Sequence, residues 1–171
     1  MKKLYISLLT LIMCSFFACL KDTPAVDFST VGTIIEILPV NGGGLEYFTS
    51  AELEFKSTEN IDSGAIVLNI ASPKPLNKNL TITMEVNDAL RSDYNLANQD
   101  QYDAFPDSTF SFPVTSGTIA AGQRLDTLMV YFYPSKIDTT KNYMLPVSIK
   151  DAQGETISGN FGSIYFHTIA K

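Results

Sequence analysis

Tryptophan is absent from the 171 residues, histidine occurs once and cysteine twice. One His and two Cys cannot assemble a Cys/His zinc site. Basic residues are also scarce. With 12 Lys+Arg against 18 Asp+Glu, the net charge of −6 has the wrong sign for a nucleic-acid surface. No G-x-S-x-G nucleophile motif occurs. Asn41-Gly42-Gly43-Gly44 lacks the Lys and the following helix that a P-loop requires. A TIM barrel, at about 250 residues, does not fit. Internal repeats and low-complexity runs are missing too. What remains is 45% apolar and 18% charged, the composition of a globular chain long enough for one core.

The N-terminus reads MKKLYISLLTLIMCSFFAC. Lys2 and Lys3 precede an apolar stretch from Leu4 to Phe17, and the small Ala18 stands before Cys19. This is the layout of a secretory signal peptide, and the stretch is short for a membrane span of about 20 residues. Phe16-Phe17-Ala18-Cys19 resembles the lipobox of bacterial lipoproteins, with Phe16 in place of the usual Leu. The resemblance implies acylation of Cys19 and cleavage before it. Lys21-Asp22 resembles the surface-export signal of Bacteroidetes-type lipoproteins. Three segments are expected: a signal peptide over residues 1–18, the lipidated Cys19 with a linker over 19–30, and one domain over 31–171. Losing the first 18 residues removes two Lys and leaves 153 residues with a side-chain charge of −8. It also removes Cys14, so no thiol is left for a disulfide, and the domain has to rest on its core. The expected address is the outer membrane, lipid-anchored and facing the cell surface. The linker from Leu20 to Thr30 reaches at most about 36–40 Å, which makes a neighbouring outer-membrane protein a natural partner.

From Val31 onward the hydrophobic pattern has period two. Leu80, Ile82, Met84 and Val86 alternate with polar residues, as do Ala51, Leu53 and Phe55. Further strands are expected over Ala65–Ile70, Leu125–Tyr133, Tyr143–Ile149 and Phe161–Ile169. Turns are expected at Asp62-Ser63-Gly64 and Ala121-Gly122-Gln123. About seven strands at this spacing give an all-β, immunoglobulin-like β-sandwich. Asp88–Asn98 breaks the pattern and reads as a short helical insertion of one or two turns with Asp88 at its N-cap; a further turn is expected between Gln99 and Phe105. Tyr143 at the start of a strand fits either a tyrosine corner or an ordinary strand Tyr.

Few side chains point to chemistry. Glu52 and Glu54, two apart on one strand face, sit about 6.5–7 Å apart. That approaches the spacing of inverting glycosidases, but an amphipathic strand's polar face explains them as well. Asp88, Asp93, Asp100, Asp103 and Asp107 cluster in the 88–107 segment without EF-hand spacing. Five carboxylates could hold Ca²⁺, which takes six to eight oxygens, but they read more readily as a solvated acidic loop; no metal or cofactor is expected. His167 reads as a hydrogen-bonded strand residue. Asp107-Ser108-Thr109, Asp126-Thr127-Leu128 and Asp138-Thr139-Thr140 resemble the O-glycosylation acceptor of Bacteroidetes-type exported proteins. Sugar rings present C–H faces that stack on aromatic rings, with polar groups fixing their hydroxyls. The candidate ligand-binding residues are accordingly Tyr94, Asn95, Tyr102, Asp88 and Asp93.

The segments LTITMEVNDALRSDYNLANQDQYDAFPDSTFSF, GTIAAGQ and YMLPVSI carry a family pattern. Tyr94-Asn95, Phe105-Pro106, Ile119 with Ala121-Gly122, and Tyr143 with Leu145-Pro146 stand at its recurrent positions. Over about residues 31–169 the chain resembles the Bacteroidetes lipoprotein domain of unknown function 1735, the N-terminal domain of surface glycan-processing lipoproteins. The resemblance implies an immunoglobulin-like sandwich among proteins that capture complex glycans. It offers no catalytic residues to carry over, and its recurrent Tyr, Asn, Pro and Gly read at least as well as structural turn chemistry. With the chain ending at Lys171, just past its last strand, a non-enzymatic stand-alone domain is expected. Two functions follow as expectations: a glycan-binding accessory protein, or a structural or adhesion module packed on another outer-membrane protein without a ligand of its own.

Overall fold

The computed structural model describes residues 32–39, 49–55 and 60–170, which belong to a compact unit beginning at Val31. Cys19, Lys21-Asp22 and the Asn41–Gly44 loop lie outside the described residues. Alternation drives the strands. In β3 (Asp62–Ala71), Gly64, Ile66, Leu68 and Ile70 are buried while their neighbours are not. In β4 (Leu80–Val86) the buried set is Leu80, Ile82 and Met84. β8 (Leu125–Phe132) buries Leu128, Val130 and Phe132, and β1 (Ile34–Leu38) buries Ile35 and Ile37. A strand with one apolar face is stable only when that face meets another, and two sheets packed face to face provide the match.

The remaining strands are β2 (Thr49–Glu52), β5 (Asp103–Ala104), β6 (Phe110–Ser111), β7 (Ser116–Ile119), β9 (Tyr143–Asp151), β10 (Thr156–Ile157) and β11 (Ser163–Thr168). The first sheet runs β10-β1-β3-β8-β6 and the second β2-β11-β9-β4-β7. The chain is therefore the expected β-sandwich. β5 also joins the second sheet, pairing parallel with the start of β9 at Asp103↔Tyr143 and Ala104↔Met144. β4 occupies the later part of the same edge, from Val86↔Val147 onward. Between them the chain leaves the sheet as α1 (Ala89–Asn98).

Phe132 is the hub of the core. It is fully buried, and its ring lies 5.7 Å from Phe55, 5.4 Å from Phe105 and 5.6 Å from Phe166. Phe132 belongs to the first sheet and Phe166 to the second, so one aromatic contact spans the sandwich.

Several local expectations change. Asp62-Ser63-Gly64 is no turn but the start of β3. A Cβ on Gly64 would sit 2.3 Å from Cε1 of Phe166, so this glycine serves a close approach between the sheets. Ala121-Gly122 is the turn expected, with Gly122 at φ +80. The insertion is longer than one or two helical turns, at ten residues. Asp88 stands at its N-cap, yet its side chain makes no capping hydrogen bond because Arg91 holds the carboxylate. Instead of a further helical turn, Gln99 closes α1 in the left-handed conformation and residues 103–104 form β5. Tyr143 is a core ring, 5.3 Å from Phe105, and no hydrogen bond from its phenol to upstream backbone occurs among the described residues. One ring nitrogen of His167, Nδ1, is buried without a hydrogen-bond partner among the described residues.

Candidate functional site

On an exposed sheet face, alternate positions of a strand are polar and solvated. β9 departs from that. Met144, Pro146 and Ser148 face away from the core, yet all seven residues from Tyr143 to Ile149 are buried. α1 and the loop after it lie over this outer face. β11 shows the same effect: Tyr165 sits opposite the inward Ile164 and Phe166, but is only 6% exposed. Its ring packs 5.5 Å from that of Tyr94. Tyr94 lies 6.0 Å from Tyr102, which stands edge-on to His167 at 5.8 Å. An aromatic layer of Tyr94, Tyr102, Tyr165 and His167 thus seats α1 on the second sheet.

The seat is fixed by polar groups. The Asn95 side chain brackets the backbone of Tyr102: Nδ2 donates to the Tyr102 carbonyl at 3.0 Å and Oδ1 accepts from the Tyr102 N–H at 3.0 Å. One turn earlier, Arg91 Nη1 donates to the same carbonyl at 3.0 Å. The rest of that guanidinium grips Asp88 through Nε–Oδ1 at 2.8 Å and Nη2–Oδ2 at 2.7 Å. The pairing lowers the Asp88 pKa and raises that of Arg91. Burial pushes the Tyr102 phenol up, with Tyr94, Asp100 and Glu52 adding to the shift. Tyr165 moves up in the same way through burial, then through Asp93 and Tyr94.

On its other flank α1 borders a cleft of about 310 Å³. Leu90, Asp93, Tyr94 and Ala97 line one side, a single helical stripe at i, i+3, i+4 and i+7. Gly159, Asn160, Ser163 and Tyr165 complete the cleft from the β10–β11 connection and β11. That connection is tied to both sheets. The Phe161 carbonyl accepts from the Ile37 N–H at 2.7 Å, the Gly162 carbonyl from the Ile149 N–H at 2.9 Å, and Ser158 Oγ from the Phe161 N–H at 3.1 Å. The wall facing α1 is therefore built into the sandwich.

Of the candidate residues, the structure brings Asp93 and Tyr94 to the cleft. Tyr102 belongs to the aromatic layer beside it, and Asp88 and Asn95 are engaged in holding the layer in place. The other carboxylates of the segment do not converge. Asp103 pairs with Lys141 at 3.5 Å, Asp100 and Asp107 are exposed, and no cluster of three or more metal-ligating side chains exists among the described residues. The central residues of the three glycosylation-like motifs, Ser108, Thr127 and Thr139, are exposed. Sequence reasoning missed Asn160, Ser163 and Tyr165. The signal for two of them was the outward parity of Ser163 and Tyr165 against inward Ile164 and Phe166.

A family model described as a "-like, N-terminal domain" matches residues 40–156. A Bacteroides ovatus multidomain protein that includes the domain of unknown function 1735 shares the fold, with TM-score 0.63 and 15% identity over 78% of this chain and 44% of that one. The chain belongs to this DUF1735-like family. A further B. ovatus structure, named as a candidate carbohydrate-binding protein, matches the DUF1735-like domain with TM-score 0.60 and 16% identity, covering 72% of this chain and 36% of that one. EndoBT-3987 of Bacteroides thetaiotamicron, solved with a Man5GlcNAc product, matches with TM-score 0.55 and 16% identity over 72% of this chain and 28% of that one. The DUF1735-like domain thus spans less than half the length of these three solved structures. No curated protein matches it.

Proposed function

We propose that this domain is a non-enzymatic, glycan-binding accessory module of a polysaccharide capture system, anchored through lipid on Cys19 at the outer membrane and facing outward. The observation that carries the reading is the cleft beside α1. Two tyrosines line it together with Asp93, Asn160 and Ser163, the mixture of aromatic surface and hydroxyl-binding groups that sugar rings need. Two structural relatives support the same direction, one named for carbohydrate binding and one solved with a glycan product. The lining argues for binding over hydrolysis. Glycoside hydrolysis generally uses two carboxylates across the scissile bond, and the described residues of the cleft present one, Asp93. A second reading, a module that packs on another outer-membrane protein, draws on the lengths of the relatives, in which this fold accompanies more chain.

The test is a glycan-panel binding assay on the lipidated protein in a non-glycosidic detergent, with and without Ca²⁺. Saturable binding to one glycan class is expected, with Tyr94→Ala weakening it about tenfold and Tyr102→Ala weakening it less. Binding unchanged in both folded variants would exclude this face of the domain. No binding across the panel would favour the packing reading, for which crosslinking in the membrane is the direct measurement. Labelled palmitate is expected to enter the wild type and not Cys19→Ala.

A further inference from the structure

We infer that the α1 cleft selects neutral glycans against anionic ones, and that Asp93 is the selecting residue. This rests on the glycan-binding reading of the same cleft. The bordering elements carry few charges. α1 has one cation, Arg91, whose guanidinium is committed to both carboxylate oxygens of Asp88 and to the Tyr102 carbonyl. The β10–β11 connection, Ser158-Gly159-Asn160-Phe161-Gly162, has no ionisable side chain. β11 contributes Ser163 and Tyr165 to the lining, and neither carries positive charge. Among the described residues, Asp93 is therefore the one formal charge in the lining, and it is negative.

A carboxylate only accepts hydrogen bonds, and its two oxygens suit a pair of sugar hydroxyls as donors. Asn160 and Ser163 both donate and accept, so they complement either role of a hydroxyl. A uronate or sulfate meets the opposite situation. It brings acceptors to an acceptor, places like charges together, and finds no Arg or Lys among the described lining residues to compensate its desolvation. The sign of the overall charge reinforces this: the full sequence carries −6, and −8 without its first 18 residues, which opposes the approach of polyanions. The cleft's volume, about 310 Å³, lies at the lower end of small-molecule sites. It fits a chain end or a short stretch better than a long duplexed segment.

The experiment titrates the lipidated protein, in the same detergent, with neutral gluco-, manno- and xylo-oligosaccharides and with oligogalacturonates and sulfated glycosaminoglycan fragments of matched length. Neutral ligands are expected to bind at least about tenfold more tightly than anionic ones at low salt. Asp93→Asn preserves size and one acceptor, and is expected to narrow that gap severalfold. Asp107→Asn, an equal charge change outside the cleft, is expected to leave it unchanged. Anionic ligands that bind as tightly as neutral ones, and lose binding in Tyr94→Ala, would overturn the selectivity while leaving the glycan-binding reading intact. A neutral preference that Asp93→Asn leaves untouched would overturn the role of Asp93. No binding by either class would overturn the selectivity together with the reading on which it rests.

Discussion

Asn95 spends both ends of its amide on one residue, Tyr102, making the pair of bonds a neighbouring strand would make. An Asn in a helix usually lowers helix propensity by about 0.5–0.7 kcal/mol relative to Ala. Here Asn95→Ala restores propensity but leaves the Tyr102 N–H without its acceptor, while the Tyr102 carbonyl keeps the bond from Arg91. The latter effect is the larger: an unsatisfied, part-buried polar group costs about 1–3 kcal/mol. Asn95→Ala is therefore expected to destabilise by roughly 1–2 kcal/mol in urea titrations, despite the better helix former. An equal or higher midpoint would mean that water replaces the amide without loss. A structural role for the recurrent Asn was legible in the sequence, but not its partner. The Tyr-Asn pair stood out there as a ligand candidate, because an isolated Asn says nothing about which backbone its amide will meet seven residues on.

At the scale of the element, α1 is held from outside more than from within, since none of its residues is fully buried. Its existence was legible: period two stops at Val86, and an Asp followed by Ala-Leu-Arg marks a helix start. Its length was not, because the Arg91 and Asn95 bonds to Tyr102 that sustain the later turn are tertiary. The Asp88–Arg91 pair couples this seat to pH. Hydrogen bonds from Arg91 hold the folded-state pKa of Asp88 below that of the unfolded chain. Its contribution is then complete above the unfolded-state pKa and disappears as pH falls through the folded-state value. The Asp88 side chain is 56% exposed, so solvent limits the pair to about 1 kcal/mol or less. Wild type is expected to exceed Asp88→Asn by that margin at neutral pH. The difference should vanish in acid below the ordinary carboxylate range. A gap that persists there would show that the substitution acts through something other than the charge.

For the whole molecule, the sandwich was legible because its signal is redundant. Each long strand repeats the alternation several times, as in Leu80, Ile82 and Met84, and a single irregular residue cannot hide it. The cleft was legible only in part, since its two sides lie some seventy residues apart, at Leu90–Ala97 and Gly159–Tyr165, and alternation does not tell which outer face a helix will cover. Stability also belongs to this scale. Residues 31–171 contain no Cys, so the domain has no disulfide within it, and the inter-sheet contact has to serve. Phe132 packs on three other rings, one of them Phe166 of the opposite sheet, and has no exposed surface. Phe132→Ala is expected to cost about 3–5 kcal/mol, the sum of lost transfer energy and a cavity that the sheets cannot close. Against a usual total of about 5–15 kcal/mol, that brings the domain near its unfolding threshold. Phe132→Leu keeps most of the volume and should recover more than half of the loss. Urea denaturation of the three proteins measures it, with a shifted midpoint and an unchanged slope expected. A loss below about 1 kcal/mol in Phe132→Ala would show that the sheets repack around the gap and that no single ring holds them together.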